Sequence, residues 1–263
     1  MLTYLLGQER KTRNEILNWL TPIDYGPQQS DFISRRQEGT GNWLPDSDEF
    51  RHWLHHSKQT LFCQGIPGSG KTIMASIVIN HLDTKFKTDA DIGIAYLYCN
   101  FRQRYQRSDL FASLLKQFAW RQSIIIPESM QRLYEHHRDR QTRPSCEEIV
   151  GELQSIVAGY RRVFIIIDAL DECHVSDGGR TKFLTEILSF QARTGSNLFA
   201  TSRIVPEIAK LFEQSILLEI RARNDDVQKY LDGQMSQLPS FVESNPDLQD
   251  EIKTTISKAV DSM

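Results

Sequence analysis

The chain has 263 residues, of which 40% are hydrophobic and 25% are charged, and its formal net charge is −3. These values are typical of a globular protein with one large α/β domain and room for a small additional region. No basic stripe indicates a nucleic-acid surface, and no apolar run approaches the roughly 20 residues of a membrane-spanning helix.

The N-terminus and the cysteines indicate a cytoplasmic protein. Charged residues interrupt the first 16 positions, so a secretory signal peptide is not predicted. The cysteines show no paired metal-binding spacing, and Cys63 and Cys99 fall in predicted buried strands, where a reduced thiol acts as a small hydrophobe. We therefore expect a reducing, intracellular compartment and neither a nucleic-acid nor a membrane partner.

The N-terminal segment, residues 1–58, is predicted to be helical with an irregular stretch. Helical patterns cover residues 15–20 and 48–54. Residues 24–42, with Pro27, Gly39 and Gly41, are predicted to be irregular. No basic groove accompanies the tryptophans of this segment, so they are interpreted as packing anchors rather than as a base-stacking platform. These residues are Trp19, Trp43 and Trp53.

From residue 60 to residue 220, strand and helix patterns alternate, which predicts a parallel sheet with crossover helices. The strands are short and apolar on both faces, as strands inside a parallel sheet are. They are predicted at residues 60–65, 93–99, 162–168, 197–201 and 216–220.

Helices are predicted between and after these strands. Ser108 is the expected N-cap of one helix, and Ser145 with Glu148 forms a capping box at the start of another. Two further helices are expected at about 180–190 and 205–213. After residue 220 the pattern is purely helical up to the last residue, which is expected of a fragment that ends before its next domain. The predicted division is an N-terminal segment at 1–58, an α/β core at 59–221 and the start of a helical region at 222–263.

The segment that follows the first predicted strand indicates a phosphate-binding loop. It matches G-x-x-x-x-G-K-[ST] at every position and precedes a helical pattern. Its glycines let successive N–H groups point at a phosphate, and the helix N-terminus adds a favourable dipole. Lys71 is expected to reach the β- and γ-phosphates, and the Thr72 hydroxyl to hold Mg²⁺. A turn that merely links strand to helix is the alternative. The predicted phosphate-binding residues are Gly65, Ile66, Pro67, Gly68, Ser69, Gly70, Lys71 and Thr72.

A second motif is the apolar strand that ends in Asp168. Its position predicts that Asp168 lies at the carboxyl edge of the sheet, beside the phosphate loop, and helps to hold Mg²⁺. The strand at 93–99 lies in sequence between the two motifs. It indicates the branch of P-loop proteins in which an additional strand separates the phosphate-loop strand from the acidic strand.

The residues after Asp168 predict slow hydrolysis. Ala169 stands where this branch usually has a glutamate that polarises the attacking water. Asp171 and Glu172 are candidates for orienting the water, and a solvated helix start is the alternative for both. A third motif is the strand end Thr-Ser-Arg, where Arg203 is expected to contact the γ-phosphate and an ordinary surface arginine is the alternative.

Together, GIPGSGKT, FIIIDALDE and LFATSR resemble the NACHT class of STAND NTPases, most closely fungal NLR-like proteins with a nephrocystin-3-like N-terminal NTPase domain. Segments 16–20 and 34–44 are also similar, so the resemblance covers about residues 14–263. It implies an α/β P-loop NTPase fold with about five parallel strands flanked by helices. It also implies a switch that ADP keeps closed and ATP opens, with self-association and slow hydrolysis.

The resemblance also implies roles for individual residues. The loop glycines, Lys71 and Thr72 would cradle the phosphates of ATP or ADP, Asp168 would position Mg²⁺, and Asp171 or Glu172 would orient the water. Arg203 would sense the γ-phosphate. Residues 36–43 are a candidate adenine pocket, and a Gly-Thr-Gly turn that lets Trp43 pack is equally open. ATP is favoured over GTP because no Asn-Lys-x-Asp motif is present. A scaffold without nucleotide binding and a small-molecule kinase are the alternative functions.

Overall fold

The structure is a computed structural model that describes residues 2–122, 125–175, 179–235 and 237–261. Within these ranges five strands form one parallel sheet flanked by helices. The strands are β1 (Thr60–Gln64), β2 (Ile92–Tyr98), β3 (Arg162–Asp168), β4 (Asn197–Ser202) and β5 (Ile216–Glu219). Each lies within one residue of its predicted bounds, and the predicted fold class is confirmed.

Helices form most of the remaining described chain. Those before the sheet are α1 (Leu2–Leu20), α2 (Gly26–Ser34), α3 (Trp43–Asp46) and α4 (Asp48–His55). Those between strands are α5 (Lys71–Lys85), α6 (Arg107–Gln122), α7 (Glu128–Arg140), α8 (Cys146–Val157), α9 (Gly179–Thr194) and α10 (Pro206–Leu211). Those after the sheet are α11 (Asn224–Met235), α12 (Ser240–Glu243) and α13 (Pro246–Asp261). None of the described helices is long and apolar enough to cross a membrane.

The sheet order is β2-β3-β4-β1-β5, which places the three motifs side by side. β4 pairs with both β1 and β3, so an additional strand does separate the phosphate-loop strand from the acidic strand. That strand is β4, whereas β2, which lies between the two motifs in sequence, is at the sheet edge. Because every pair is parallel, the carboxyl ends of β1, β3 and β4 lie together at one edge.

The hydrophobic core includes residues that precede the sheet. Phe50 and Trp53 of α4 are completely buried and belong to the same cluster as Phe164 and Phe199 of the central strands. The interpretation of Trp53 as a packing anchor is therefore confirmed. The predicted domain boundaries after residues 58 and 221 stay predictions.

The predicted irregular stretch at 24–42 is wrong for its first half, which forms α2. Pro27 lies in the first turn of this helix, where its missing N–H costs nothing and its fixed φ suits the helix. The Asp24 carboxylate accepts a hydrogen bond from the Gly26 N–H at 2.9 Å. The proline thus marks a helix start, and within residues 24–42 the glycines with positive φ, Gly39 and Gly41, lie in the turn after α2.

Two smaller predictions also differ from the structure, and one helix was not predicted. Ser108 is inside α6 rather than its N-cap, and the Asp109 carboxylate instead accepts from the Gln106 N–H at 2.9 Å. Helix α7 has no counterpart among the predicted elements. Strand β5 is an edge strand whose residues alternate between half-buried and exposed, so it is not buried on both faces. The capping box of Ser145 and Glu148 is confirmed at the start of α8.

Two side chains of α6 cover the free edge of β2. The Gln117 amide accepts from the Tyr96 N–H at 3.0 Å and donates to the Tyr96 carbonyl at 2.8 Å. Arg121 Nε donates to the Ile92 carbonyl at 2.9 Å. These bonds occupy main-chain groups that another strand would use, so the sheet ends at β2.

Candidate functional site

The loop between β1 and α5 has a backbone that requires glycine. Gly68 and Gly70 have φ values of 81° and 89°, in the left-handed region that side chains disfavour. A Cβ on Gly65 would lie 2.3 Å from the Ile220 carbonyl oxygen and 2.6 Å from Ser69 Oγ. Each of the three glycines in the motif is therefore required, either because a side chain would clash or because the backbone conformation disfavours one.

The polar groups of this loop fit an anion. Lys71 Nζ donates to the Gly65 and Ile66 carbonyls at 2.9 and 2.7 Å, so the side chain folds back over the loop. Burial lowers the pKa of Lys71, and Asp171 and Asp168 oppose this effect in part. The Ser69 hydroxyl is buried and has no hydrogen-bond partner among the described residues. A free buried donor beside an ammonium group suits a phosphate.

Asp168 ends β3 directly beside the loop and is only 3% exposed. Its Oδ2 accepts from the Thr72 hydroxyl at 2.8 Å, and its Oδ1 accepts from the Thr201 hydroxyl at 2.6 Å. Burial raises the pKa of Asp168, and the hydrogen bonds from Thr201 and Thr72 oppose that rise in part. The paired carboxylate and Thr72 hydroxyl are hard oxygen ligands of the kind that Mg²⁺ prefers.

The turn after Asp168 pairs with the end of β4. Ala169 has a φ of 57°, and its N–H donates to Thr201 Oγ1 at 2.9 Å. Asp171 accepts from the Arg203 N–H at 2.9 Å and from the Arg203 guanidinium through Nε. Burial acts to raise the pKa of Asp171, but the bonds from Arg203 outweigh it, and the net shift is downward.

The three motifs therefore meet at one edge of the sheet. Lys71 and Asp168 lie close enough for their charges to influence each other, and Asp171, Glu172 and Arg203 act on the same lysine. The Thr201 hydroxyl, which follows the apolar part of the third motif, contacts Asp168. A hydroxyl next to the acid on the neighbouring strand was a signal in the sequence that could have indicated this role.

The turn at 36–43 packs against α5. Gly41 has a φ of 71°, and a Cβ at this position would lie 2.5 Å from Ile77 Cδ1. Both carboxylate oxygens of Asp226 accept from the Gly41 N–H at 3.0 Å, and Asp226 also accepts from Trp43 Nε1 at 3.1 Å. These contacts explain the glycine by packing, and they leave the adenine pocket as a prediction. Asp226 had no signal in the sequence, because its partners are 183 and 185 residues away.

A family comparison identifies the sequence. The chain matches the model of the nephrocystin 3 N-terminal family over residues 39–203, which is more than half of its length. The chain belongs to this family. The matched residues, 39–203, include the phosphate loop, Asp168 and Arg203. No curated protein sequence matches the chain.

One solved structure, with a TM-score above 0.5, supports the fold of the chain. A Walker-type ATPase of Pyrococcus abyssi has a TM-score of 0.51 at 13% identity, with 84% of this chain and 64% of that chain covered. Cdc6p of Pyrobaculum aerophilum has a TM-score of 0.49 at 13% identity, with coverages of 88% and 58%. Orc1 of Aeropyrum pernix, solved in complex with DNA, has 0.45 at 16% identity, with coverages of 75% and 52%. The chain thus spans between about half and two thirds of the length of these proteins.

Proposed function

We propose that the chain is an ATP- and ADP-binding signalling switch of the NACHT/STAND type with weak Mg²⁺-dependent ATP hydrolysis. The observation that supports it is the meeting of Lys71, the Thr72–Asp168 pair and Arg203 at one sheet edge. In this proposal the switch acts within a larger, cytoplasmic NLR-like receptor and self-associates through this domain. Residues 59–221 form its NTPase core, and 222–263 begin a helical region.

Different residues of the site would bind the phosphates and the metal ion. The loop N–H groups, Ser69 and Lys71 would bind phosphate oxygens, and Thr72 with Asp168 would hold Mg²⁺. Bound ATP would supply the phosphoanhydride bond and the charge of its γ-phosphate. The turn at 36–43 stays a candidate for the adenine side of the site. It packs against α5, the helix that begins at Lys71.

Weak hydrolysis follows from the positions of the acids. Ala169 cannot orient a water, and both oxygens of Asp171 already accept hydrogen bonds from Arg203. Glu172 is half-buried, and its carboxylate has no hydrogen bond to any described residue, so we assign the water-orienting role to it.

Glu172→Gln is expected to lower the ATP hydrolysis rate about tenfold or more, since a positioned general base contributes at least that much. The affinity for ATP should stay within about twofold, because the Glu172 carboxylate donates or accepts no hydrogen bond with a loop residue. Single-turnover hydrolysis and equilibrium binding measure the two effects separately. An unchanged rate would remove Glu172 from the mechanism.

The function itself is tested by the nucleotide that the purified chain retains. We expect near-stoichiometric ADP or ATP after denaturation, and about 100-fold weaker Mg²⁺-ATP binding in Lys71→Ala, since an ammonium–phosphate contact is charge-assisted. Chromatography of the released nucleotide would also report the base. An empty wild-type protein that does not bind added Mg²⁺-ATP would contradict the switch and support the scaffold alternative.

A further inference from the structure

Asp171 and Arg203 form a pair that leaves part of the arginine free. Asp171 Oδ1 accepts from the Arg203 N–H at 2.9 Å and from Ser202 Oγ at 3.3 Å, and Oδ2 accepts from Arg203 Nε. Among the described residues, neither terminal amino group of Arg203 has a hydrogen-bond partner. The carboxylate therefore binds one edge of the guanidinium and leaves the other edge open.

The burial of the two side chains differs. The Asp171 side chain is 4% exposed, whereas the Arg203 side chain is 48% exposed. Asp171 is also held through its main chain, because its carbonyl accepts from Arg180 NH1 at 3.2 Å. Asp171 is thus buried and held through both its carboxylate and its carbonyl. It is placed to orient the half-exposed Arg203 rather than to contact solvent.

The open edge of Arg203 belongs to the nucleotide site. Arg203 follows β4, whose carboxyl end lies between the phosphate-loop strand and the strand that ends in Asp168. Arg203 is also near enough to Lys71 to lower the pKa of that lysine. A guanidinium binds phosphate best through two parallel N–H groups in a fixed plane.

We propose that Asp171 is a positioning residue that fixes the plane of Arg203, so that the terminal amino groups of Arg203 bind a γ-phosphate, and that this pair sets the preference for nucleoside triphosphate over diphosphate. The inference rests on the proposed function and concerns the regulation of the same site. Without Asp171, the guanidinium loses conformational freedom only when the γ-phosphate binds. This cost weakens binding of the triphosphate but not of the diphosphate. The diphosphate has no group at that position and is unaffected.

The test measures the affinities of ADP and of the non-hydrolysable β,γ-imido analogue of ATP, both with Mg²⁺. Asp171→Asn is expected to weaken binding of the analogue about tenfold, the size of one charge-assisted hydrogen bond, and to leave ADP within about twofold. Arg203→Lys should have the same effect, because lysine keeps the charge but lacks Nε and the planar fork. The double variant should lose no more than either single variant.

A second Asp–Arg pair provides a matched control. Arg161 pairs with Asp89 at 2.7 Å, next to the start of β3 and so at the opposite edge of the sheet. Asp89→Asn and Arg161→Lys should leave the ratio of the two affinities unchanged. Thermal unfolding identifies any variant that does not fold. Arg203→Lys keeps a cation opposite the buried acid and tests the proposal if Asp171→Asn is unstable.

The outcomes separate this inference from the function on which it rests. Wild-type protein that binds neither nucleotide overturns both. Wild-type binding with an unchanged ratio in Asp171→Asn and a changed ratio in Arg203→Lys overturns the positioning role alone. Tighter binding of the analogue in Asp171→Asn also overturns it, because Asp171 would then compete with the γ-phosphate for Arg203.

Discussion

Trp53→Ala is expected to lower the free energy of unfolding by about 4 kcal/mol, the usual cost of removing a large buried aromatic side chain. Trp53 is completely buried, and its ring centroid is 5.3 Å from that of Phe164 and 5.9 Å from that of Phe199. The indole N–H also donates to the Leu198 carbonyl at 3.0 Å. Urea unfolding followed by circular dichroism measures the loss.

Trp53→Phe is the control for this prediction. It keeps a ring in the core but leaves the buried Leu198 carbonyl without its donor, and we expect a loss of about 2 kcal/mol. A second hydrogen bond joins β4 to the residue after α4, since the Asn197 side-chain Nδ2 donates to the His56 carbonyl at 2.7 Å. A loss below about 1 kcal/mol in Trp53→Ala would show that α4 does not unfold together with the sheet. That result would favour the predicted separation of residues 1–58 from the core.

Local patterns explain why the sheet and the phosphate loop could be predicted from the sequence. β1, β3 and β4 are buried on both faces, and each contains a short apolar run that stands out from helical periodicity. The loop needs glycine at positions that a single short segment specifies. The edge strand β5 was placed correctly but described incorrectly, because an apolar run of three residues does not reveal which side of the strand lacks a neighbour.

Contacts between distant segments could not be predicted in the same way. Asp226 meets Gly41 and Trp43 only because α11 returns to the turn before the sheet. Likewise, Asp171 was a candidate for orienting water because it stands three residues after Asp168. Its bonds to Arg203 depend on β3 and β4 being neighbours. Pairing in the sheet, rather than residue type, decides which acid is free.

Thr201→Val is expected to lower the free energy of unfolding by about 3 kcal/mol. The Thr201 hydroxyl is completely buried, donates to Asp168 at 2.6 Å and accepts from the Ala169 N–H at 2.9 Å. Valine has a similar shape but no hydroxyl, so it leaves a buried carboxylate oxygen and a buried N–H without this partner. Thr201→Ser keeps the hydroxyl, and its loss should stay near 1 kcal/mol. Urea unfolding of the three proteins at pH 7 gives the comparison.

The pH dependence distinguishes this hydrogen bond from simple packing. In the folded protein, burial raises the pKa of Asp168 above the ordinary aspartate value of about 3.9, and the bond from Thr201 opposes the rise. Removing the hydroxyl raises the folded pKa further, so over a wider range the folded state binds more protons than the unfolded state. The stability of Thr201→Val should therefore fall more steeply than that of wild type as pH rises above about 4. We expect the difference to be larger at pH 8 than at pH 5. An equal loss at both values would mean that Thr201 stabilises the protein by packing and does not govern the charge of Asp168.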